Sequence, residues 1–325
     1  MKCLCCGKTI SSSSTESGWH ESCIKRFFGT TRIPKIEINE RALDILAVES
    51  TSKGYTVPGV QKKLSLHLFS EGKNPRLTLV NYPTGYILKP QVKEFEALPE
   101  AEQLVMCMAD AAGISTVPHG LIMGDNSLAY ITKRVDRIFG KDNVKMLAME
   151  DFCQLDLRLT QDKYRGSYER CAKIIERYSS RKGLDMTELY MRLVFSYLVG
   201  NSDMHLKNFS LIETEEGSGK YVLSPAYDLL PVNVIMPEDK EQFALAMNGK
   251  KMNIRKKDFL IFADGCGISK NSAEKMIEKL VSMKPKFISM CMESHLPENL
   301  KESLVALIEN RMEMMESVEK DRKTI

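Results

Sequence analysis

Asn201-Ser202-Asp203-Met204-His205-Leu206-Lys207-Asn208-Phe209-Ser210 is a polar run set between an apolar helical stretch and a short strand, and Pro225-Ala226-Tyr227-Asp228 follows soon after. Phosphoryl transfer from a nucleotide asks for one carboxylate that accepts the proton of an attacking hydroxyl. It also asks for a carboxamide and a second carboxylate that hold magnesium against the phosphates. Asp203, Asn208 and Asp228 supply those three groups. The Asp-x4-Asn spacing sets the amide about one loop turn beyond the first acid, near enough to share a substrate without competing for the same oxygen. A loop that merely caps a helix and turns into a hairpin also draws on Asn, Ser and Asp. Such a loop does not account for His205 and Lys207 as well. The stretch therefore predicts the catalytic and metal-binding centre of an ATP-dependent phosphotransferase.

The flanking segments say how that centre is delivered. Met186, Leu189, Tyr190, Leu193, Val194 and Tyr197 recur at helical spacing and mark a helix with a buried stripe that delivers Gly200 and Asp203 to the cleft. Phe209–Ile212 and Tyr221–Leu223 surround Glu215-Glu216-Gly217-Ser218-Gly219 as a hairpin, which brings Asp228 back toward Asn208. Met149–Leu157 and Tyr168–Tyr178 read as helices, as do Ser272–Met283 and Leu300–Val318 with their many methionines. Methionine-rich faces are more often core or partner surface than a cofactor box.

The first half of the chain reads differently. Leu66–Phe69, Arg76–Asn81 and Gly85–Leu88 are short strands divided by Gly, Asn and Pro, and Val117–Met123 and Ser127–Lys133 are joined through Gly124-Asp125-Asn126 as a hairpin. An antiparallel sheet is expected. Leu98–Ala112 is a helix ended by Gly113, with Glu102 in register with Val105 and Ala109 and so facing inward. Lys89 closes the apolar strand Tyr86-Ile87-Leu88 and must either reach water or find an anion. Paired with Glu102, in preference to Glu100, it would form the lysine–glutamate bridge by which kinases position the α and β phosphates. At Lys133-Arg134-Val135 strand-rich composition gives way to helix-rich, which places a hinge there with backbone groups for the edge of an adenine ring. Arg32–Ser50 reads as a helix. In Val57-Pro58-Gly59-Val60-Gln61-Lys62-Lys63, Gly59 lets backbone amides approach phosphates and Lys62 or Lys63 adds charge, although an ordinary hairpin turn would look the same.

Cys3-x2-Cys6 and His20-x2-Cys23 are two close pairs of ligands separated by thirteen residues, the spacing by which a tetrahedral zinc ion staples a small loop-rich unit. Such a unit buries too little apolar surface to fold unaided, so the metal would be structural. Cys5 is a possible substitute ligand, and a frayed terminus of reduced thiols is the competing reading. Trp19, Phe27 and Phe28 are placed to pack the unit onto the next domain or a partner.

The 325 residues suffice for two lobes with a cleft between them, and 43% hydrophobic with 27% charged residues excludes disorder as the dominant state. No stretch is long or apolar enough to span a bilayer, and Met1-Lys2-Cys3-Leu4 lacks the apolar core of a secretion signal, so a cytoplasmic location is expected. Nine cysteines there should be thiols or metal ligands rather than disulfides. A net charge of +3, from 46 basic and 43 acidic side chains, is too balanced to argue for nucleic-acid binding by field alone.

From about Thr56 to the C-terminus the sequence resembles the HipA family of bacterial serine/threonine kinases, toxins of toxin–antitoxin pairs whose fold is related to phosphatidylinositol 3- and 4-kinases. The ordered motifs are Val57 to Lys63, Ile87-Leu88-Lys89, Lys133-Arg134-Val135-Asp136-Arg137, Glu150-Asp151-Phe152-Cys153-Gln154, Gly200-x2-Asp203-x-His205-x-Lys207-Asn208-Phe209-Ser210 and Tyr227-Asp228. The resemblance implies Asp203 as catalytic base, Asn208 and Asp228 as magnesium ligands, Lys89 as phosphate-contacting lysine, and Lys133 to Val135 as adenine hinge. His205 and Lys207 would line the phosphate site, with Tyr227 beside it. In the family a serine before the glycine loop is autophosphorylated and switches the kinase off; Thr56 stands at that position here. The short N-terminal part resembles the split type in which a separate small HipS-like protein supplies a missing subdomain. A HipB-like helix-turn-helix antitoxin would be the partner, with DNA contact mainly indirect, and an aminoacyl-tRNA synthetase is the kind of target the family implies.

The expected architecture is therefore α+β, bilobal and protein-kinase-like. It comprises a zinc-binding unit over 1–31, a β-rich N-lobe over 32–134 and a mostly helical C-lobe over 135–325. A catalytically silent binding or co-repressor module, and a small-molecule or lipid kinase on the same fold, are the competing functions.

Overall fold

A computed structural model describes residues 1–10, 17–37, 63–69, 75–78, 84–124, 127–139 and 144–316. The chain divides into two compact units, Met1–Cys107 with Val117–Met146, and Met108–Thr116 with Leu147–Ile325.

The first unit contains α1 (Glu21–Phe28), β1 (Lys35–Glu37), β2 (Leu64–Phe69), β3 (Arg76–Thr78), β4 (Tyr86–Pro90), most of α2 (Leu98–Ala112), β5 (His119–Met123), β6 (Leu128–Lys133), β7 (Arg137–Phe139) and β8 (Val144–Met146). Six strands form one sheet in the order β1-β3-β2-β4-β6-β5, and β7 pairs with β8. All neighbours in the large sheet are antiparallel except β1 and β3, which run parallel with Lys35 opposite Arg76. The expected helix over Arg32–Ser50 is thus overturned at Lys35–Glu37. Pro34 and the alternation Lys35-Ile36-Glu37 favour extended backbone there, and residues 38–50 lie outside the described ones.

The N-terminal segment belongs to the same core. Trp19, Ile24, Phe27 and Phe28 share one apolar cluster with Leu64, Leu66, Leu77, Tyr86 and Leu88. Trp19 is fully buried, and its indole Nε1 donates to the Leu121 carbonyl at 2.8 Å. A side chain on Gly120 would stand 2.6 Å from the Trp19 ring, so only glycine lets the indole lie against β5. Leu121 also donates its amide to Leu4 at 2.8 Å. The N-terminal loop therefore pairs with the outer strand of the sheet, a common way of protecting an edge.

The second unit holds β9 (Met149–Asp151), α3 (Phe152–Leu155), α4 (Tyr168–Tyr178), α5 (Lys182–Val199), β10 (Ser210–Glu213), β11 (Tyr221–Leu223), α6 (Val232–Ile235), α7 (Lys256–Gly265), α8 (Lys270–Val281), α9 (Lys284–Met292) and α10 (Glu298–Glu316). The predicted α4 and α5 are present, and β10 and β11 form the predicted hairpin, joined on the far side of β10 by β9. That third strand corrects the helix expected over Met149–Leu157. Met149–Asp151 instead pairs with Ser210–Ile212, and Asp151 then caps the short helix α3 through a reciprocal capping box with Gln154.

Helix α5 is buried along most of its length, including Asp185 and Arg192. Asp185 accepts from Arg181 at 2.8 Å, from Ser179 at 2.6 Å and from the Leu223 amide at 2.7 Å, while Arg192 donates to Glu188 and to the Ser224 carbonyl. Buried charges persist only when so partnered, and here they bolt α5 to the hairpin that follows it. Among the described residues no helix is long and apolar enough to cross a membrane.

Candidate active site

Helix α5 ends at Gly200, whose φ of 76° is the left-handed conformation that stops a helix at little cost for glycine. A Cβ there would press on Leu307 at 3.0 Å. The next residues turn back on the helix: Asn201 donates its amide to Ser196, Ser202 to Gly200, and Asn233 also bonds the Gly200 carbonyl at 2.9 Å. The loop is pinned further along by Tyr168, whose hydroxyl donates to the Met204 carbonyl, and by the Leu206 amide on the Lys163 carbonyl. Leu206 to Asn208 close it as a single tight turn before β10.

Within this frame the predicted residues come together. Asp203 keeps its carboxylate 39% exposed, whereas His205 and Asn208 on either side of the turn are buried. Oδ1 of Asp203 accepts the Tyr164 hydroxyl at 2.8 Å, and Oδ2 lies 3.9 Å from Nε2 of His205. Burial first, then the negative charge of Asp203 and its hydrogen bond, push the Tyr164 phenol up. The Asn208 Nδ2 amide donates to the Asp203 backbone carbonyl at 2.8 Å, which turns the amide oxygen away from that carbonyl and suits it to a cation. Lys207 reaches back to Asp151 Oδ2 at 2.6 Å. Asp151 stands opposite Ser210 across the β9–β10 pair.

Tyr227 fastens the other end. Its hydroxyl donates to the Lys207 carbonyl at 3.0 Å, so the single phenolic hydrogen is committed and Ser210, 2.6 Å away, must be the donor to Tyr227. Asp228 follows with φ of 62°, a left-handed backbone that a non-glycine residue holds only when its surroundings fix it. The Ala226 amide on the Ser115 carbonyl, at 2.7 Å, is part of that fixation. The charge of Asp228 raises the phenols of both Tyr164 and Tyr227, behind burial and nearer groups. Asp203, Asn208, Asp228, His205, Lys207 and Tyr227 thus form one braced constellation in the second unit.

In the first unit, Lys89 is 4% exposed and its ammonium meets Glu102 Oε1 at 2.5 Å, with Glu102 fully buried. It also lies 5.3 Å above the Tyr130 ring. Of the two fates open to this lysine, pairing prevails over snorkelling because α2 carries Glu102 to the strand. At Lys133-Arg134-Val135 the amides of Lys133 and Arg134 are spent on the carbonyls of Pro118 and Gly85. Arg134 grips Asp136 with Nε at 3.0 Å and Nη2 at 2.7 Å, and Arg137 binds the same carboxylate. Lys63 is exposed just before β2, while Thr56 and Val57, Pro58, Gly59, Val60, Gln61 and Lys62 lie outside the described residues.

The ligand atoms of Cys3, Cys6, His20 and Cys23 lie within 4.8 Å of one another. A tetrahedral zinc thiolate site sets its ligand atoms about 3.5–3.8 Å apart. Nδ1 of His20 is 3.4 Å from Cys6 Sγ and 3.8 Å from Cys23 Sγ. Its Nε2 faces the Thr9 carbonyl at 3.1 Å, which requires the hydrogen on Nε2 and leaves the Nδ1 lone pair toward the sulfurs. Cys5 stands outside this group, its thiol turned to the His119 carbonyl at 3.6 Å. The four side chains fit zinc in number, type and orientation.

Two residues of the site escaped sequence reasoning. Tyr164 sits in Lys163-Tyr164-Arg165-Gly166, a segment without periodicity, and only the fold lays it on Asp203. Asp151 stood inside a motif with no role attached, because its partnership with Lys207 depends on strand pairing.

The chain belongs to the family described as the HipA-like C-terminal domain, which it matches over residues 55–287. A Haemophilus influenzae relative named "Putative kinase" is 27% identical over 277 residues, covering 76% of this chain and 77% of that protein. The "Serine/threonine-protein kinase toxin HipA" of Shewanella oneidensis is 26% identical over 238 residues, covering 66% of this chain and 52% of that one. The fold is similar to that of the HipA chain in the solved Shewanella oneidensis complex of HipA, HipB and operator DNA, with a TM-score of 0.66 at 20% identity over 79% of this chain and 65% of that one. Two kinds of side-chain grouping therefore sit on a kinase-like α+β fold.

Proposed function

We propose that this chain is an ATP- and magnesium-dependent protein serine/threonine kinase. The observation that carries the reading is Asp203, a half-exposed carboxylate whose orientation is set by Tyr164 and whose backbone is gripped by Asn208, with Asp228 close enough to act electrostatically. Asp203 would take the proton of the substrate hydroxyl as its oxygen bonds the γ-phosphorus and the bond to the departing ADP breaks. Asn208 and Asp228 would hold magnesium, which when bound neutralises phosphate charge. Lys89, fixed by Glu102, is assigned to the α and β phosphates; His205 and Lys207 are assigned to the phosphate site, and Lys133 to Val135 to the base.

The N-terminal Cys3, Cys6, His20 and Cys23 would hold structural zinc. The family implies further a growth-arresting toxin, restrained by a HipB-like antitoxin that contacts DNA, acting on a translation component such as an aminoacyl-tRNA synthetase. Thr56 is the matching position for inhibitory autophosphorylation.

Incubating the pure chain with labelled ATP, magnesium and a bacterial cytosolic extract tests the reading. Transfer of label to serine or threonine of a protein, lost in Asp203→Asn, is the expected result. Label in a small molecule or lipid instead, or no transfer beyond the Asp203→Asn level, would refute it.

A further inference from the structure

The N-terminal Cys/His group and the Lys89–Glu102 pair are joined by one buried side chain. Gln103 follows Glu102 on α2 and is itself buried. Its Nε2 donates to the Cys5 carbonyl at 2.7 Å, and its Oε1 lies 2.7 Å from Nδ1 of His119 on β5. One helical turn on, the Cys107 thiol points at the same Cys5 carbonyl at 3.8 Å and accepts from Gln103 at 3.3 Å. One face of α2 is therefore hooked to a single peptide group, and that group links Cys5 to Cys6.

We propose that Gln103 is a positioning residue through which metal bound by Cys3, Cys6, His20 and Cys23 sets the register of α2 and, with it, the Lys89–Glu102 pair. This inference rests on the kinase reading, because it makes nucleotide affinity depend on the metal cluster. The Cys5 carbonyl is flanked by ligands at Cys3 and Cys6, so its position is fixed while the metal is held and released when the metal leaves. The helix already has an apolar face, with Ala101, Val105, Met106, Met108 and Ala109 fully buried. Apolar packing alone tolerates sliding, whereas a satisfied buried polar network admits one arrangement. Glu102 is the next residue along the helix, and at 2.5 Å from Lys89 a displacement of about 1 Å would separate the pair beyond normal hydrogen-bond distance.

The test uses the full chain and four readouts: zinc content, thermal unfolding, calorimetric affinity for a non-hydrolysable ATP analogue with magnesium, and hydrogen exchange of α2. Gln103→Glu keeps an acceptor for His119 but replaces the amide that donates to Cys5 and Cys107 with a carboxyl oxygen; Gln103→Met removes acceptor and donor without adding charge. Each should retain one zinc and bind the analogue about tenfold more weakly, with Lys89→Met weaker still. Chelating zinc from the wild type should produce the same loss and faster exchange in α2, while chelation should add little to the defect of Gln103→Met. That last non-additivity is what a merely structural glutamine would not give.

Wild-type affinity in both Gln103 variants, with binding lost in Lys89→Met, overturns the coupling alone. An equal effect of chelation in wild type and Gln103→Met also overturns it. Should neither variant fold, unchanged affinity in chelated wild type decides against it. A wild type that binds no nucleotide defeats the kinase reading, and the coupling falls with it.

Discussion

Tyr164 donates its hydroxyl hydrogen to Oδ1 of Asp203 at 2.8 Å, while the edge of the His205 imidazole meets the tyrosine ring with centroids 5.1 Å apart. A carboxylate on a loop rotates freely unless something holds one oxygen, and here a phenol holds Oδ1. On the kinase reading Asp203 is the base, and the geometry of a catalytic group is sensitive to misplacements of about 1 Å.

Tyr164→Phe should therefore slow phosphoryl transfer by about tenfold, well short of the 10²–10⁴-fold typical of losing a general base. Nucleotide affinity should stay unchanged. Steady-state transfer assays beside Asp203→Asn, with calorimetry of nucleotide binding, check both halves. A Tyr164→Phe enzyme as fast as the wild type would remove the positioning role.

Lys89 and Glu102 face each other in the interior, so removing one takes the counter-charge from a buried ion. Lys89→Met should destabilise the fold by about 3–5 kcal/mol, the range seen when one partner of a buried pair is deleted. Adding Glu102→Leu should recover most of that stability, since an apolar pair of similar volume tolerates burial well. Phosphoryl transfer should not recover with it. Urea unfolding of the single and double variants, run beside the transfer assay, separates stability from function. Activity restored in the double variant would mean that the lysine has no part in the reaction.

Gly120 lies against the only tryptophan of the chain. Gly120→Ala would bring a methyl group to 2.6 Å from the indole, and overpacking of this sort costs about 1–3 kcal/mol. Because Trp19 is the sole indole, its fluorescence reports on this contact without interference. The variant should show a lower unfolding midpoint and red-shifted emission. Wild-type emission and stability would contradict the packing described for the β5 edge.

Asp136 offers a pH signature. Burial works to raise its carboxyl, but the hydrogen bond and charge of Arg134, followed by the charge of Arg137, outweigh it and leave the group below its ordinary value. With the folded value depressed below the unfolded one of about 3.9, the unfolded chain takes up the proton first. The stabilisation is therefore complete above the unfolded value and is lost as pH falls through the folded one. The stability difference between wild type and Asp136→Asn should be largest near neutrality and shrink below about pH 4. Denaturant titrations from pH 7 to pH 3 measure it, and a difference that does not change with pH would count against the ion pairs.

Much of this molecule was legible in one dimension because the deciding contacts are local. The apolar stripe of α5, the Asp203 to Asn208 spacing and the two close Cys/His pairs each depend on residues within a turn or two of one another. Hydrophobic periodicity and ligand spacing therefore announced them. The helix expected over Met149–Leu157 holds at Phe152–Leu155 and fails at Met149–Asp151, because Asp151 serves both as the last strand residue and as the cap of α3, and the strand exists only through its distant partner β10. The helix expected over Arg32–Ser50 failed at Lys35–Glu37 for the same reason, since β1 depends on β3. What only tertiary structure decided were pairings across long stretches of chain: Tyr164 with Asp203, Lys207 with Asp151, Gln103 with Cys5, and Lys89 with Glu102 rather than with water. Each is a polar group whose bonding must be satisfied somewhere, and residue type states that obligation while the folded chain alone selects the partner.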